Sequence, residues 1–280
     1  MIAFVVTVDP ADVELAADAL WGWGVVAVEE RAAADGRIEL WTSLGDDESL
    51  IADTVKDLPS GWAWRLEQLD ERVADTWRDF AAAVWVEDDL VVVPAWVDTS
   101  VPSVSVHGEP VTVISIEPGS TFGMGDHPTT QLSMRALRRA LSQRPDSTST
   151  ALDVGCGSGV LAVAAVIFGA THATGVDIAP ASVATTQANA ERNGVADRVT
   201  VSTTPLDEVE GVYDVVVANI LAPTLVQLST DLRRVVADGG TLIISGVLHT
   251  RHDHVDAALA PLRCISVDEM DGWVAITYSA

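Results

Sequence analysis

Lysine is almost absent from this chain. Lys56 stands alone among 280 residues, and sixteen bases face forty-one acids, for a formal net charge of −25. A surface of that sign repels nucleic acid and attracts basic partners. An acidic, arginine-preferring source proteome would leave the same mark, so charge alone does not name a partner. Cysteine is scarce too: Cys156 and Cys264 make neither a disulfide framework nor a zinc spacing, and they fit a reducing compartment. Long apolar runs are missing. The longest, VLAVAAVIFGA at 160–170, is far below the roughly 18 residues of a membrane span. The opening MIAFVVTVDP has no basic start and breaks at Asp9-Pro10, which is not the pattern of a signal peptide. The expectation is a soluble, cytoplasmic protein with no membrane and no nucleic-acid partner; the sequence does not give its oligomeric state, for which a monomer is favoured. Its 48% hydrophobic content suffices for one large domain or two smaller ones.

What is present falls into two rhythms. The first seventy residues read as strand IAFVVTV (2–8), a helix from Pro10 closed by glycine, strands VVAVEE (25–30) and RIELWTSL (37–44), a helix DDESLIADTVKDL (46–58), and a strand WAWRLEQL (62–69). That βαββαβ order is the ferredoxin-like one, which hosts many functions. Eight of the nine tryptophans lie at or before Trp96, a shift in composition that supports a boundary. Residues 71–117 read as a structured linker: a short helix near 76–83, a hairpin turning at Asp88-Asp89, and a strand VTVISI (111–116). From residue 151 the apolar runs ALDVG, HATGVDI, RVTVST, YDVVVANI and TLIISGV suit buried parallel strands, with helical segments after the first, second, fourth and fifth. CISVDEMDGWVAITYS adds an antiparallel hairpin. The fold class is therefore α/β: a doubly wound, mostly parallel sheet in 118–280, preceded by a small α+β domain in 1–70.

LDVGCGSGVLAVAA (152–165) places Gly155, Gly157 and Gly159 between a buried strand and a helix, where the main chain can turn sharply and a ligand can approach it. A dinucleotide fingerprint would need glycine at 160, and Val160 stands there. Asp177 ends the next strand, where a carboxylate can accept both hydroxyls of a ribose. The pattern D-x-G-x-G-x-G followed by an acidic strand end looks like the S-adenosylmethionine site of class I methyltransferases. In that reading Asp153 helps receive the ligand's ammonium group, and Asp207, past the third strand, meets the adenine amino group. Asn219 closes the fourth strand at the carboxyl edge of the sheet. The following Ile220-Leu221-Ala222 replaces the Pro-Pro-Tyr that amide-modifying relatives carry there, so a tetrahedral amine suits the site better than a flat amide or base.

One stretch remains. EPGSTFGMGDHPTT (117–130) holds three glycines, two prolines and four hydroxyl side chains just before a helical pattern. Taken with LDVGCGSG, GVDI and VVANIL in that order, FGMGDHPTT resembles the bacterial PrmA family, which methylates ribosomal protein L-eleven. The family's own pattern is FGTGTHPTT, so Met124 and Asp126 depart from it. The resemblance implies S-adenosylmethionine as cofactor, contacted by Thr130, Gly155, Asp177 and Asn219. It also implies methylation of lysine ε-amines and the N-terminal α-amine of a basic ribosomal protein. The stretch then acts as a glycine-hinged lid whose helix starts at Pro128; plain helix capping is the alternative. His127 is the nearest candidate for a general base beside Asn219, with a structural role before the proline as the other reading. Residues 1–70 are expected to grip the substrate. A small-molecule N-methyltransferase and a non-catalytic binding module of the same fold stay open as alternatives, and no metal is expected.

Overall fold

A computed structural model describes the chain except for residues 1, 24, 26–27, 34, 43–54, 56–57, 60, 69–80, 120, 122 and 145–147. The chain divides into two compact units, Met1–Ala81 and Ala82–Ala280.

In the first unit β1 (Ile2–Val8) leads through a short 3-10 turn into α1 (Val13–Gly22), followed by β2 (Glu29–Ala32), β3 (Ile38–Thr42) and β4 (Ala63–Gln68). Every pairing is antiparallel, in the order β2-β3-β1-β4, which is the ferredoxin-like order. Alternation along β1 decides its faces: Phe4, Val6 and Val8 join Ala16, Leu20 and Leu40 in a core beneath the helix, while Ala3 and Val5 pack with Trp41 on the other side. The strand anticipated at 25–30 runs instead over Glu29–Ala32, because its pairing with β3 from Glu29 to Ala32 sets its length. Apart from Val55 and Leu58, the second helix anticipated at 46–58 lies outside the described residues, as does most of the short helix near 76–83.

Residues 82–117, expected as a linker, fall within the second unit. They form a three-stranded sheet of β5 (Val84–Glu87), β6 (Leu90–Pro94) and β7 (Thr112–Ile116), with a β5–β6 hairpin and a parallel β6–β7 pair. Helix α2 (Pro128–Ser142) follows. The main sheet alternates β8 (Thr150–Val154), α3 (Val160–Ile167), β9 (His172–Val176), α4 (Pro180–Arg192), β10 (Val199–Ser202), β11 (Tyr213–Asn219), α5 (Ala222–Gln227), α6 (Ser229–Arg234), β12 (Val236–Leu248), α7 (Asp253–Leu259), β13 (Arg263–Met270) and β14 (Trp273–Ser279). Its order is β10-β9-β8-β11-β12-β14-β13, parallel except at β14. The final hairpin turns on Asp271 and Gly272 at φ 51° and 80°, the positive pair that a two-residue turn between twisted strands requires. Both faces are covered: Val215, Val217 and Ile243 face one core, and Val216, Ala218 and Ile244 the other. No described helix is long and apolar enough to cross a membrane.

Candidate active site

Chain order in the main sheet reverses between β8 and β11, so the carboxyl ends of these two strands open the crevice in which α/β sheets hold ligands. β8 runs out at Val154 into the glycine turn, whose Gly155, Gly157 and Gly159 sit at φ 72°, 52° and 76°. A Cβ on Gly155 would stand 2.4 Å from Cγ2 of Ile220, just past the end of β11. Two chain corners thus meet where the crevice opens. Gly159 starts α3 but has no side chain to cap it. Asp153, 2% exposed beneath that helix, does so from the strand by accepting the Ala162 N–H at 3.0 Å. Burial pushes its pKa up to about 7, the Ala162 N–H opposes that rise, and the charge of Asp177 adds to it.

Asp177 lies one residue beyond β9. Its Oδ2 accepts the Gly157 N–H at 2.8 Å and its Oδ1 the Ala179 N–H at 2.8 Å. A carboxylate offers about four lone-pair sites, so two remain for hydroxyl groups of a ligand. Asp207 stands on an exposed 3-10 turn after β10, and among the described residues no hydrogen bond joins it to the glycine turn.

Thr130, in the first turn of α2 and 1% exposed, accepts a hydrogen bond from Asn219 Nδ2 at 3.4 Å. Eighty-nine residues separate the two in sequence. With Nδ2 turned to Thr130, the planar amide presents Oδ1 away from it as an acceptor. Behind Asn219, a Cβ on Gly246 would lie 2.3 Å from the backbone oxygen of Ile220, and Gly246 itself has φ 88°. The corner after β11 is therefore seated between two glycines that leave room for it.

His127 caps α2. Its Nδ1 accepts the Thr129 N–H at 3.3 Å and lies 2.8 Å from Thr129 Oγ1, while its ring meets Trp273 edge-on at 5.2 Å. Burial lowers its pKa against the opposing pull of Asp126, so the ring is neutral near pH 7 and its basic nitrogen is committed to the helix. That geometry is the capping role, and it withdraws His127 from duty as a base at Nδ1.

Sequence reasoning missed the residues that hold these corners together. Ser158 Oγ donates to the Gly123 carbonyl at 2.6 Å, Thr186 Oγ1 to the Gly157 carbonyl at 3.2 Å, and Asn189 reaches Ser158 as well. The available signal was weak: a hydroxyl inside the glycine turn at Ser158, and polar residues at the positions of Thr186 and Asn189 that α4 turns inward.

A family model described as Ribosomal protein L11 methyltransferase (PrmA) matches residues 41–280. The chain belongs to the PrmA family. Among curated PrmA relatives, the Ribosomal protein L11 methyltransferase of Citrifermentans bemidjiense is 39% identical over 211 residues, 75% of this chain and 67% of that protein. The one from Dechloromonas aromatica is 43% identical over 194 residues, 68% of this chain and 60% of that protein. A solved structure of the ribosomal protein L11 methylase of Lactobacillus delbrueckii subsp. bulgaricus superposes with a TM-score of 0.62 at 29% identity, covering 71% of this chain and 98% of the other. As a PrmA family member the chain is an S-adenosylmethionine-dependent methyltransferase.

The donor set fits that cofactor. Gly155 is exposed at the crevice, and the Asp177 carboxylate is aimed at the same turn. A nucleoside carrying an amino acid and a sulfonium has no pyrophosphate, so it needs no helix N-terminus reserved for phosphate; here the first turn of α3 is already occupied by Asp153.

Proposed function

We propose that the chain methylates ribosomal protein L11 on lysine ε-amines and the N-terminal α-amine, as a cytoplasmic monomer. The observation that carries the reading is the Thr130–Asn219 contact at the sheet's switch point, beside a glycine turn that Asp177 orients. Gly155, Gly157 and Gly159 would line the cofactor's amino-acid part, Asp177 its ribose, and Thr130 and Asn219 the reacting end. Asp153 supports the turn from below, and Asp207 is assigned to the adenine side. When bound, the cofactor supplies an electrophilic methyl group on a sulfonium. Asn219 Oδ1 accepts an N–H of the incoming amine, which turns the nitrogen lone pair toward that methyl group. Alignment of this kind is the main contribution a site makes to such a displacement.

The amine must arrive neutral. At pH 7 this costs about 4–5 kcal/mol for a lysine with a reference pKa of about 10.4, and about 1 kcal/mol for an α-amine near 8. The acidic field of this chain raises that cost, so burial of the amine beside the cofactor's positive charge must offset it. The same field draws in a basic substrate. Residues 1–70, with fifteen acids against four bases, act as the part that grips it.

Incubating the purified protein with L11, small amines or RNA and following mass by spectrometry tests the reading. Methyl increments on L11 and none on the other two are expected, with KM for L11 rising with salt at constant kcat. An unmodified L11 alongside a methylated small amine would overturn it.

A further inference from the structure

Asn189 is fully buried in α4 and uses every hydrogen-bonding position of its amide. Oδ1 accepts the Glu117 N–H at 2.9 Å and Arg192 Nη1 at 2.7 Å. Nδ2 donates to the carbonyls of Glu117 and Ser158, each at 2.9 Å. One turn later Asn193 treats Ser115 the same way, accepting its N–H at 2.9 Å and donating to its carbonyl at 2.7 Å. β7 is an edge strand, so Ser115 and, just beyond it, Glu117 would otherwise have unpaired outward groups. Four residues of helix rise about 6.0 Å and two of strand about 6.6 Å. That near match lets two side-chain amides replace a missing neighbour strand.

The two amides differ in one respect. Asn193 ends on β7 and its own helix, whereas Asn189 continues to the Ser158 carbonyl in the glycine turn. Ser158 in turn donates its hydroxyl to Gly123, within the 117–127 segment that Glu117 begins. Segment and turn are therefore joined twice, once through Asn189 and once through Ser158.

We propose that Asn189 is a positioning residue for the cofactor: its amide clamps the root of the 117–127 segment to the glycine turn and sets the spacing between these two walls of the pocket. The proposal rests on the glycine turn being the cofactor site. Aspartate at 189 would keep the shape but lose both donors, and it would set a charge against two carbonyls.

The test compares Asn189→Asp, Asn189→Ala and Asn193→Asp in the full-length protein. S-adenosylhomocysteine affinity is measured by calorimetry, and amide exchange over 117–127 and 155–159 without any ligand. Asn189→Asp should weaken binding about tenfold or more and speed exchange in both segments. Asn189→Ala, which introduces no charge and so folds more readily, should do the same at about fivefold. Asn193→Asp should lower the thermal midpoint comparably, speed exchange in β7, and leave affinity within about threefold. Equal weakening by the 189 and 193 variants, or faster exchange in one of the two segments alone, would overturn the proposal. Failure of the unaltered protein to bind S-adenosylhomocysteine would instead remove the cofactor reading, while coupled exchange in the ligand-free protein would still report the clamp.

Discussion

Glu39 in a strand of the first unit and Asp153 in a strand of the second are treated in opposite ways. Glu39 in β3 is partly buried on the sheet face that it shares with Trp41. There Arg65 Nη1 and Nη2 donate to its two oxygens at 2.8 and 3.1 Å, and Trp41 Nε1 adds a bond at 2.9 Å. The guanidinium of Arg65 first, and the indole N–H after it, hold its pKa below the usual carboxylate range against partial burial. Asp153 in β8 pairs with no cation among the described residues and is enclosed by the core, so burial drives its pKa up. Position in the fold, not residue type, decides whether an acid is a surface clamp or a buried group near its titration point. The first unit secures this partly buried acid with charge, and Arg31 adds to the cluster by lying 4.1 Å from the Trp41 ring. The second secures its site with amides and hydroxyls together with the carboxyl groups of Asp153 and Asp177.

The largest expected effect comes from breaking the Asp153 side of this contrast. The unfolded chain releases that proton near pH 4 and the folded chain near pH 7, so between those values the folded state binds more protons. Stability of the second unit should therefore fall as pH rises from about 4 to about 7, by on the order of 4 kcal/mol, then level off. Asp153→Asn should flatten that slope in denaturation curves read by exchange in β8 and α3.

Next comes the seat of Asn219. Gly246→Ala sets a methyl group against the Ile220 carbonyl and strains a backbone at φ 88°. Methyl transfer should fall about a hundredfold, with exchange in the first unit unchanged. Asp177→Asn loses a charge-assisted acceptor and should weaken S-adenosylhomocysteine binding about thirtyfold in calorimetry.

The smallest effect belongs to the first unit. Arg65 is 42% exposed and Glu39 20%, so their pair is screened, and Glu39→Gln should cost about 0.5–1 kcal/mol at pH 7. Because the Glu39 pKa is lowered, that contribution is present above the usual carboxylate range and disappears as pH falls through the lowered value. Tryptophan emission can follow it, since six of the nine tryptophans lie in residues 1–81. Added salt should shrink the Glu39→Gln difference while leaving the Asp153 slope in place.

Several parts of the site were legible as sequence because they are local. Three alternate glycines after a buried strand, an acid at the end of the next strand and an asparagine at the end of the fourth are each set by a few adjacent residues. The hairpin at Asp88-Asp89 and the one at Asp271-Gly272 follow from turn chemistry in the same way. Asn189 was not legible, because its partner Glu117 is seventy-two residues away and an asparagine in a helix reads as a surface residue until the helix is packed. Nor was the cap that Asp153 supplies, which exists because α3 folds back over β8. His127 stood open between a base and a structural residue before the proline, and its bond with the Thr129 N–H is a capping one.

Sequence alone determined the alternation of strands and helices, the glycine turn and the acid that follows it, since hydrophobic period and backbone permissiveness act over a few residues. Tertiary structure decided which distant groups meet: Thr130 with Asn219, Ile220 between Gly155 and Gly246, Asn189 across two loops. It also decided which acid is shielded from water and which is paired in it. Contacts and dielectric surroundings are properties of packed neighbours, and no stretch of chain carries its neighbours with it.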